Sequence, residues 1–303
     1  MNTSDDPTLT ELGLPDLPQI LPAPTVDAHT HLDAVQERSG LTPDETLRLA
    51  AAVGVTRAVQ VGCDAADSTW AEAFAATHPA VVANVALHPN EVARHPERVA
   101  AGLVTIERLA QAGPHVRAIG ETGLDYYRTR EAADQARQRE SFAAHIDLAA
   151  HFGLTLVIHD RDAHADILDV LDGSSRPPRV VLHCFSGDAA FARQGLDRGY
   201  WLSFPGVVTY PANRELRDAL AVTPPDRLLV ETDAPYLTPV PARGKPNASY
   251  LLPHTVRFVA SQRGWDLAET CAQLADNTFA AFGGSWGAST IQATPTGPPP
   301  ADG

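Results

Sequence analysis

Cysteine is scarce in this chain of 303 residues, which has only Cys63, Cys184 and Cys271. Three widely spaced thiols do not make the disulfide framework of a small secreted protein, and they suit a reducing compartment better. No apolar run approaches the roughly 20 residues that cross a membrane. The first 24 residues contain no Lys or Arg with which a secretory signal would begin. We therefore expect a cytoplasmic protein that does not enter the membrane.

Basic residues are also few, since 23 Lys and Arg stand against 37 Asp and Glu and give a formal net charge of −14. A protein that coats duplex DNA usually presents a basic stripe, so binding of that kind is disfavoured. An acidic protein can still bind a phosphate where metal ions supply the positive charge. The charge balance thus argues against simple electrostatic DNA binding and leaves metal-assisted binding open.

Composition divides the chain into three parts. Residues 1–24 are rich in Pro, Asp, Thr and Leu without a clear period, which predicts a mostly loose arm that packs at most through Leu12, Leu14 and Ile20. Residues 285–303 consist largely of Ser, Thr, Pro and Gly, which predicts a disordered tail. Residues 25–284 remain as one folded domain.

Within this domain, eight short β-branched runs alternate with stretches rich in Ala, Leu, Arg and Glu. Alternation of this kind predicts parallel strands joined by right-handed helical crossovers. Eight units favour closure into an α/β fold of the (β/α)8 TIM-barrel type, whereas an open doubly wound sheet more often has six strands. No Gly-x-Gly-x-x-Gly or Walker-type loop follows a predicted strand, which weakens a nucleotide-binding interpretation. The predicted strands lie near 25–29, 57–62, 81–87, 116–120, 155–158, 179–182, 200–204 and 228–231.

Histidine and acidic residues stand at the carboxyl ends of five predicted strands. In a barrel these ends converge on one face, where active sites lie. One such histidine is usually a satisfied polar residue, but this many at strand ends predict a metal site. The candidate ligands are His29, His31, Glu121, His159, His183 and Asp233.

The spacing of His29 and His31 suits a shared metal ion, because side chains at i and i+2 of an extended strand point to the same face. Imidazole and carboxylate donors suit zinc and other divalent ions. Glu121 lies across the predicted barrel and is placed to bridge two ions. The remaining histidines, such as His145, are expected at the surface. We expect Cys184 in the core and His88 in contact with a neighbouring loop.

The chain resembles the TatD family of metal-dependent deoxyribonucleases, which belongs to the amidohydrolase-like barrels. The resemblance extends over about residues 24–284, with weaker matches such as LHP at 87–89. One departure is the absence of Glu-Pro after Asn247, in the loop that follows the last strand. The main matching stretches are DAHTHL at 27–32, GETGLDYY at 120–127, IHDRDA at 158–163, HCFSG at 183–187 and ETDAPYL at 231–237.

The resemblance implies a dinuclear site with Glu121 as the bridging carboxylate. By this resemblance, His29, His31 and Asp233 hold one ion with Glu121, whereas His159 and His183 hold the other. It also implies Mg-dependent 3′→5′ DNA exonuclease activity. The two divalent ions are expected to be Mg, Mn or Zn.

The hypothesis for catalysis is hydrolysis by water that the metals activate, with Asp233 as the proton acceptor and Glu121 as the bridge. Arg161 is a candidate for gripping a phosphate, unless it pairs with Asp162 or Glu121. Lys245 is a further phosphate contact or a solvated charge. Aromatic side chains beside the ligands are candidates for stacking on an unpaired base, or they pack the barrel rim. They are Tyr126, Tyr127 and Phe185.

Three functions remain open at this point. The first is a nuclease that acts on single-stranded or frayed DNA ends, since an end can enter a concave barrel mouth. The second is a hydrolase of a carbonyl substrate such as a lactone, an amide or an aminoacyl ester. The third, a non-catalytic barrel, is disfavoured because the candidate ligands are intact. The sequence gives no sign of an obligate protein partner.

Overall fold

The computed structural model describes residues 6–287. Within them, eight parallel strands form one sheet in chain order. The segment after the last strand meets the end of the first strand through a parallel bridge between Thr30 and Ala234. The prediction of a (β/α)8 barrel is thereby confirmed. The strands are β1 (Thr25–Thr30), β2 (Val55–Val61), β3 (Val81–Val85), β4 (Val116–Asp125), β5 (Thr155–Arg161), β6 (Arg179–Leu182), β7 (Trp201–Phe204) and β8 (Leu228–Val230).

Helices follow the strands and surround the sheet. None of those in residues 6–287 has the length and apolar character of a membrane span. The helices are α1 (Pro7–Leu12), α2 (Leu32–Ser39), α3 (Pro43–Ala52), α4 (Ala65–Thr77), α5 (Pro89–Arg94), α6 (Val99–Leu109), α7 (Ala132–Phe152), α8 (His164–Asp172), α9 (Ala189–Asp197), α10 (Arg214–Val222), α11 (Leu252–Arg263) and α12 (Leu267–Ala281).

Local sequence signals explain where several helices begin and end. Asp64, Asp188 and Asp266 precede α4, α9 and α12, and each accepts hydrogen bonds from two backbone N–H groups of the first turn. Such bonds satisfy amides that have no partner inside the helix. Gly153 ends α7 with a φ of 66°, a left-handed conformation that glycine adopts without steric cost.

The barrel interior is a small apolar cluster that supports the site from below. Alternate strand residues such as Val157, Val181 and Leu229 belong to it, together with Phe282 and Trp286 after α12. Trp286 is 7% exposed, and its carbonyl accepts a hydrogen bond of 2.6 Å from Arg57 Nε. The expectation of a disordered tail from residue 285 is therefore wrong for residues 285–287, and residues 288–303 lie outside the described part of the chain.

The expectation of a loose N-terminal arm is wrong for residues 6–24. Leu9 in α1 is fully buried, whereas Leu12 and Ile20, expected to pack, are 39% and 62% exposed. The Tyr250 hydroxyl donates to the Pro15 carbonyl at 2.9 Å, and Arg257 donates to the carbonyls of residues 19 and 20. Leu14, also expected to pack, does lie against the core. Aperiodic composition did not reveal the rest because the arm is held by scattered contacts to distant parts of the chain, such as the ion pair of Asp6 with Arg48 in α3.

His145, expected at the surface, is fully buried in α7. Its Nε2 accepts a hydrogen bond of 3.0 Å from the Leu87 backbone N–H, and its Nδ1 lies 2.7 Å from the Ser141 carbonyl. The neutral ring thus joins α7 to the segment that ends β3. Burial, opposed only by the bond to Ser141, lowers the pKa of His145 from 6.5 to about 4.

We expect this buried ring to make stability dependent on pH. Because the unfolded chain takes up the proton at a higher pH than the folded chain, stability is complete above about pH 6.5 and falls towards pH 4. The loss is about 3 kcal/mol in the free energy of unfolding. Urea unfolding of metal-free protein across this range tests it, with His145→Gln as the comparison that cannot titrate. A constant difference between the two proteins across the range would contradict the assignment.

Candidate metal centre

Five of the candidate ligands surround one another at the carboxyl ends of β1, β4, β5 and β6. The Nε2 atoms of His29 and His31 lie 3.7 and 3.5 Å from Oε1 of Glu121. On the other side, His159 Nδ1 and His183 Nε2 lie 3.3 and 3.0 Å from Oε2. Glu121 therefore stands between two histidine pairs, with one carboxylate oxygen facing each pair.

Asp233 joins the pair that faces Oε1. Its Oδ1 lies 3.9 Å from His29 Nε2 and 3.5 Å from His31 Nε2. The residue follows β8 with a left-handed φ of 52°, and its backbone N–H donates to the His29 carbonyl at 3.0 Å. Buried Asp27 fixes the turn, because it accepts bonds from the backbone and hydroxyl of Thr232 at 2.9 and 2.6 Å.

Strand alternation explains why the other ligands point inward. His159 and His183 each stand two residues after an inward valine, Val157 and Val181, and residues two apart share a face.

The backbones of β4 and β5 approach each other closely beside Glu121. A Cβ on Gly123, which has a φ of 137°, would lie 2.1 Å from the His159 carbonyl oxygen. Only glycine lets β4 and β5 approach this closely at the site.

The buried polar atoms of the cluster fit metal ions. His29 is fully buried, yet neither of its ring nitrogens has a hydrogen-bond partner. A buried polar group left in this state costs about 1–3 kcal/mol. A cation beside Nε2 would satisfy the group, and a set of imidazole and carboxylate donors is typical of sites for zinc and other divalent ions.

The charges at the site also favour bound cations. Burial opposes ionisation of Glu121, but His183 and the other surrounding histidines hold its pKa well below the usual value. Burial likewise opposes protonation of His183, but the charges of Glu231 and Glu121 raise its pKa well above 6.5. The carboxylates thus create a negative field. Protons on surrounding histidines balance this field when no metal is bound, and divalent ions would balance it when they replace those protons.

Three of the histidines have a second partner that orients the ring. His31 Nδ1 lies 3.1 Å from the Val61 carbonyl, and His159 Nε2 lies 3.3 Å from Asp125 Oδ2. His183 Nδ1 lies 3.0 Å from Glu231 Oε1, although the N–H is not well aligned for a hydrogen bond. In each case the opposite nitrogen faces Glu121. Partners of this kind fix the tautomer and the direction of a ligand.

Sequence reasoning overlooked the roles of Asp125 and Glu231, although both stand in stretches that carried the family resemblance. The available signal for Glu231 was its position two residues before Asp233 in an inward-facing segment. Its carboxylate also accepts bonds from Ser203 Oγ and Cys184 N at 2.5 and 2.7 Å. Asp125 accepts a bond of 3.1 Å from Asn90.

Three more side chains reach the site. His88 Nε2 lies 3.8 Å from Glu121 Oε2, while its Nδ1 accepts a bond from Asn90 N at the start of α5. Cys63 Sγ lies 3.6 Å from Glu121 Oε1. Cys184, expected in the core, is instead partly exposed. Partial burial of its thiol and the nearby charges of Asp233 and Glu231 raise the pKa of Cys184 well above 9.0.

Two of the residues predicted to bind substrate have other contacts. Phe185 is 2% exposed, with ring centroids 5.6 and 5.7 Å from those of Phe191 and Phe204. The prediction that it stacks on a base is wrong, since a ring packed into the core has no free face. The Tyr126 hydroxyl donates to Asp166 at 2.6 Å and accepts from Arg139 at 2.8 Å.

Lys245 and Arg161 differ in what they contact. Lys245 Nζ donates to the Gly13 carbonyl at 3.2 Å, so it ties the loop after β8 to the N-terminal arm. The Arg161 guanidinium carbon lies 4.0 Å from the ring centroid of Tyr127. Within residues 6–287, the ion pairs do not include one between Arg161 and Asp162 or Glu121. Arg161 therefore remains available to a ligand.

The orientation of His183 predicts the effect of Glu231→Gln. We expect divalent-metal affinity to fall about 10–100-fold, because an amide no longer attracts the His183 N–H as a charged carboxylate does. Metal titration with a competing chelator measures the loss. Glu215→Gln in α10 removes an exposed carboxylate and is the control. Equal affinities for the two variants would mean that Glu231 does not tune His183.

Comparisons with known proteins relate the chain to one family. The family model described as TatD related DNase matches residues 26–283. The uncharacterized metal-dependent hydrolase TatD of Mycobacterium tuberculosis is 45% identical over 264 residues, which cover 86% of this chain and 98% of that protein. The 3′-5′ ssDNA/RNA exonuclease TatD of Cronobacter sakazakii is 38% identical over 231 residues, with coverage of 74% and 86%.

A solved structure is similar as well. The crystal structure of YjjV, a TatD homologue from Escherichia coli K12, superposes with a TM-score of 0.76 at 26% identity. The superposition covers 85% of this chain and 97% of YjjV. The chain therefore belongs to the TatD family of metal-dependent hydrolases.

Proposed function

We propose that this protein is a nuclease that removes nucleotides from the 3′ ends of single-stranded DNA, using two divalent ions held on either side of Glu121. The observation that carries the proposal is the division of the ligands into two groups by one buried carboxylate. His29, His31 and Asp233 would hold one ion, whereas His159 and His183 would hold the other. Mg, Mn and Zn all suit the proposal.

The choice of substrate rests on relatives and on the surface beside the site. The Cronobacter sakazakii and Erwinia tasmaniensis relatives are named 3′-5′ ssDNA/RNA exonuclease TatD. A carbonyl hydrolase could use the same metals, but the names of these relatives do not favour it. RNA is a second nucleic acid that those names include, so both polymers belong in the test.

When bound, a metal pair polarises a phosphoryl oxygen and lowers the pKa of water towards about 7. Asp233 would then accept a proton from the attacking water while the water oxygen forms its bond to phosphorus. The phosphorus–oxygen bond to the preceding sugar breaks, the departing 3′-oxygen takes up a proton from solvent, and Asp233 returns its proton to solvent. Burial opposes ionisation of Asp233, but the bond to His31 and the charges of the histidines lower its pKa, so the carboxylate is charged and able to accept.

A basic and aromatic surface lies directly after β4. Tyr127 is 51% exposed, and the guanidinium carbons of Arg161 and Arg130 lie 4.0 and 5.5 Å from its ring centroid. Arg128 Nε lies 3.8 Å from Asp125 Oδ2, the oxygen that contacts His159. An exposed ring offers stacking to a base, and arginine binds phosphate with paired hydrogen bonds. This surface would hold the strand next to the ligands.

The net charge of the protein favours binding of the end of a DNA strand over binding along a duplex. At −14, the protein has no basic excess with which to bind long DNA by counterion release. Positive charge is concentrated near Tyr127 and would be concentrated at the ions. A strand end can enter a concave barrel mouth, whereas a continuous duplex would have to bend sharply to reach its floor.

The form of the substrate tests the proposal directly. We expect metal-loaded protein to shorten a linear single strand from its 3′ end and to leave a covalently closed circle of the same sequence intact. Strands labelled at either end, in DNA and in RNA, show the direction. Equal cleavage of the circle would exclude dependence on an end. Inertness towards both, with rapid hydrolysis of an ester or lactone, would assign the protein to carbonyl substrates.

Variants should separate chemistry from substrate binding. Asp233→Asn removes the proton acceptor and should lower turnover at least about 100-fold. Tyr127→Ala removes a stacking surface worth about 1–3 kcal/mol, so KM should rise about 5- to 100-fold while kcat changes little. Arg214→Ala, at an arginine that is 87% exposed on α10, is the control. Normal turnover of Asp233→Asn at saturating metal would refute its role.

A further inference from the structure

β2 places a thiol beside the bridging carboxylate, at a strand end that supplies none of the proposed ligands. Cys63 Sγ lies 3.6 Å from Glu121 Oε1 and 3.8 Å from His31 Nδ1. One sulfur, one imidazole and one carboxylate thus stand close enough together to share an ion. We propose that Cys63 is a thiolate ligand of the ion on the Oε1 side of Glu121, and that it makes this half of the site selective for zinc over magnesium.

The distances around Glu121 Oε1 support a shared ion. His29 Nε2, His31 Nε2 and Cys63 Sγ lie 3.7, 3.5 and 3.6 Å from this oxygen. Donors that share one divalent ion at the roughly 2.0–2.3 Å typical of zinc stand about 3–4 Å apart. The fully buried nitrogen of His29, which has no hydrogen-bond partner, is directed at the same oxygen as the thiol. An ion beside Oε1 of Glu121 would give both the His29 nitrogen and the Cys63 thiol a partner.

The backbone holds Cys63 firmly in this position. Its carbonyl accepts a hydrogen bond of 2.8 Å from His88 N, and the preceding Gly62 donates to the Asn84 carbonyl at 3.1 Å. A Cβ on Gly62 would lie 2.4 Å from the Ser68 Cα, so α4 packs tightly against this turn. The backbone of Cys63 is therefore held in place before any ion binds.

The chemistry of the thiol decides which metal ion binds more tightly. Binding replaces the S–H bond by a sulfur–metal bond and releases the proton to solvent. Soft thiolate donors favour zinc, whereas magnesium prefers oxygen donors. The thiol nearest the other half of the site, Cys184, stands with His183 and Glu231, whereas Cys63 is the thiol that stands with Glu121 among the clusters of the described residues. The two halves should consequently differ in metal preference.

Cobalt provides a test that does not depend on catalysis, although the inference rests on the metal centre proposed above. The chain has three cysteines, so Cys184→Ser/Cys271→Ser leaves Cys63 as the sole thiol. After chelation and reloading with Co²⁺, this protein should show the near-ultraviolet charge-transfer band of a cobalt thiolate. Adding Cys63→Ser should abolish the band while bound cobalt persists by elemental analysis.

Affinity gives a second readout on the full chain. Cys63→Ser should lower zinc affinity by at least about 10–100-fold, because the loss of a group that only orients a ligand already costs this much, and should leave magnesium affinity within about 2-fold. Cys271→Ser, at a fully buried thiol of α12, is the matched control. Cobalt bound without the band would overturn the thiolate assignment and leave the metal centre standing. Failure to bind cobalt at all would overturn both.

Discussion

The structure depends on keeping one carboxylate ionised inside the barrel. Glu121 is 4% exposed, and burial alone would favour its neutral form. Four histidines from three other strands approach its two oxygens at 3.0–3.7 Å. Their positions require a closed barrel, because β1 lies on one side of β4 in the strand order and β5 and β6 on the other. The fold thus creates a negative centre that cations must balance.

A ring of buried contacts around this centre keeps the ligands in place. Asp27 and Thr232 fix the turn that presents Asp233, where β8 closes against β1. Asp125 and Glu231 direct His159 and His183 from behind. Because these groups are buried and polar, each depends on the others for its partner. We interpret the site as one electrostatic unit rather than as six independent ligands.

Much of this could be predicted from the sequence, and the reason is periodicity. Short apolar runs that end in His or an acidic residue indicated both the barrel and the cluster at its rim, and the family motifs indicated the TatD relationship. The burial of side chains outside the ligand positions was harder to predict from the sequence. Phe185 follows a proposed ligand but turns into the core, and His145 is buried although its helix has polar neighbours. The N-terminal arm packs through Leu9 and a bond from Tyr250, contacts between residues distant in sequence that no local pattern encodes.

The central claim is that Glu121 separates two metal ions, and anomalous X-ray diffraction from crystals soaked in manganese tests it most directly. The account predicts two peaks, one beside Oε1 among His29, His31 and Asp233, and one beside Oε2 among His159 and His183. A single peak, or ions bound away from Glu121, would contradict it.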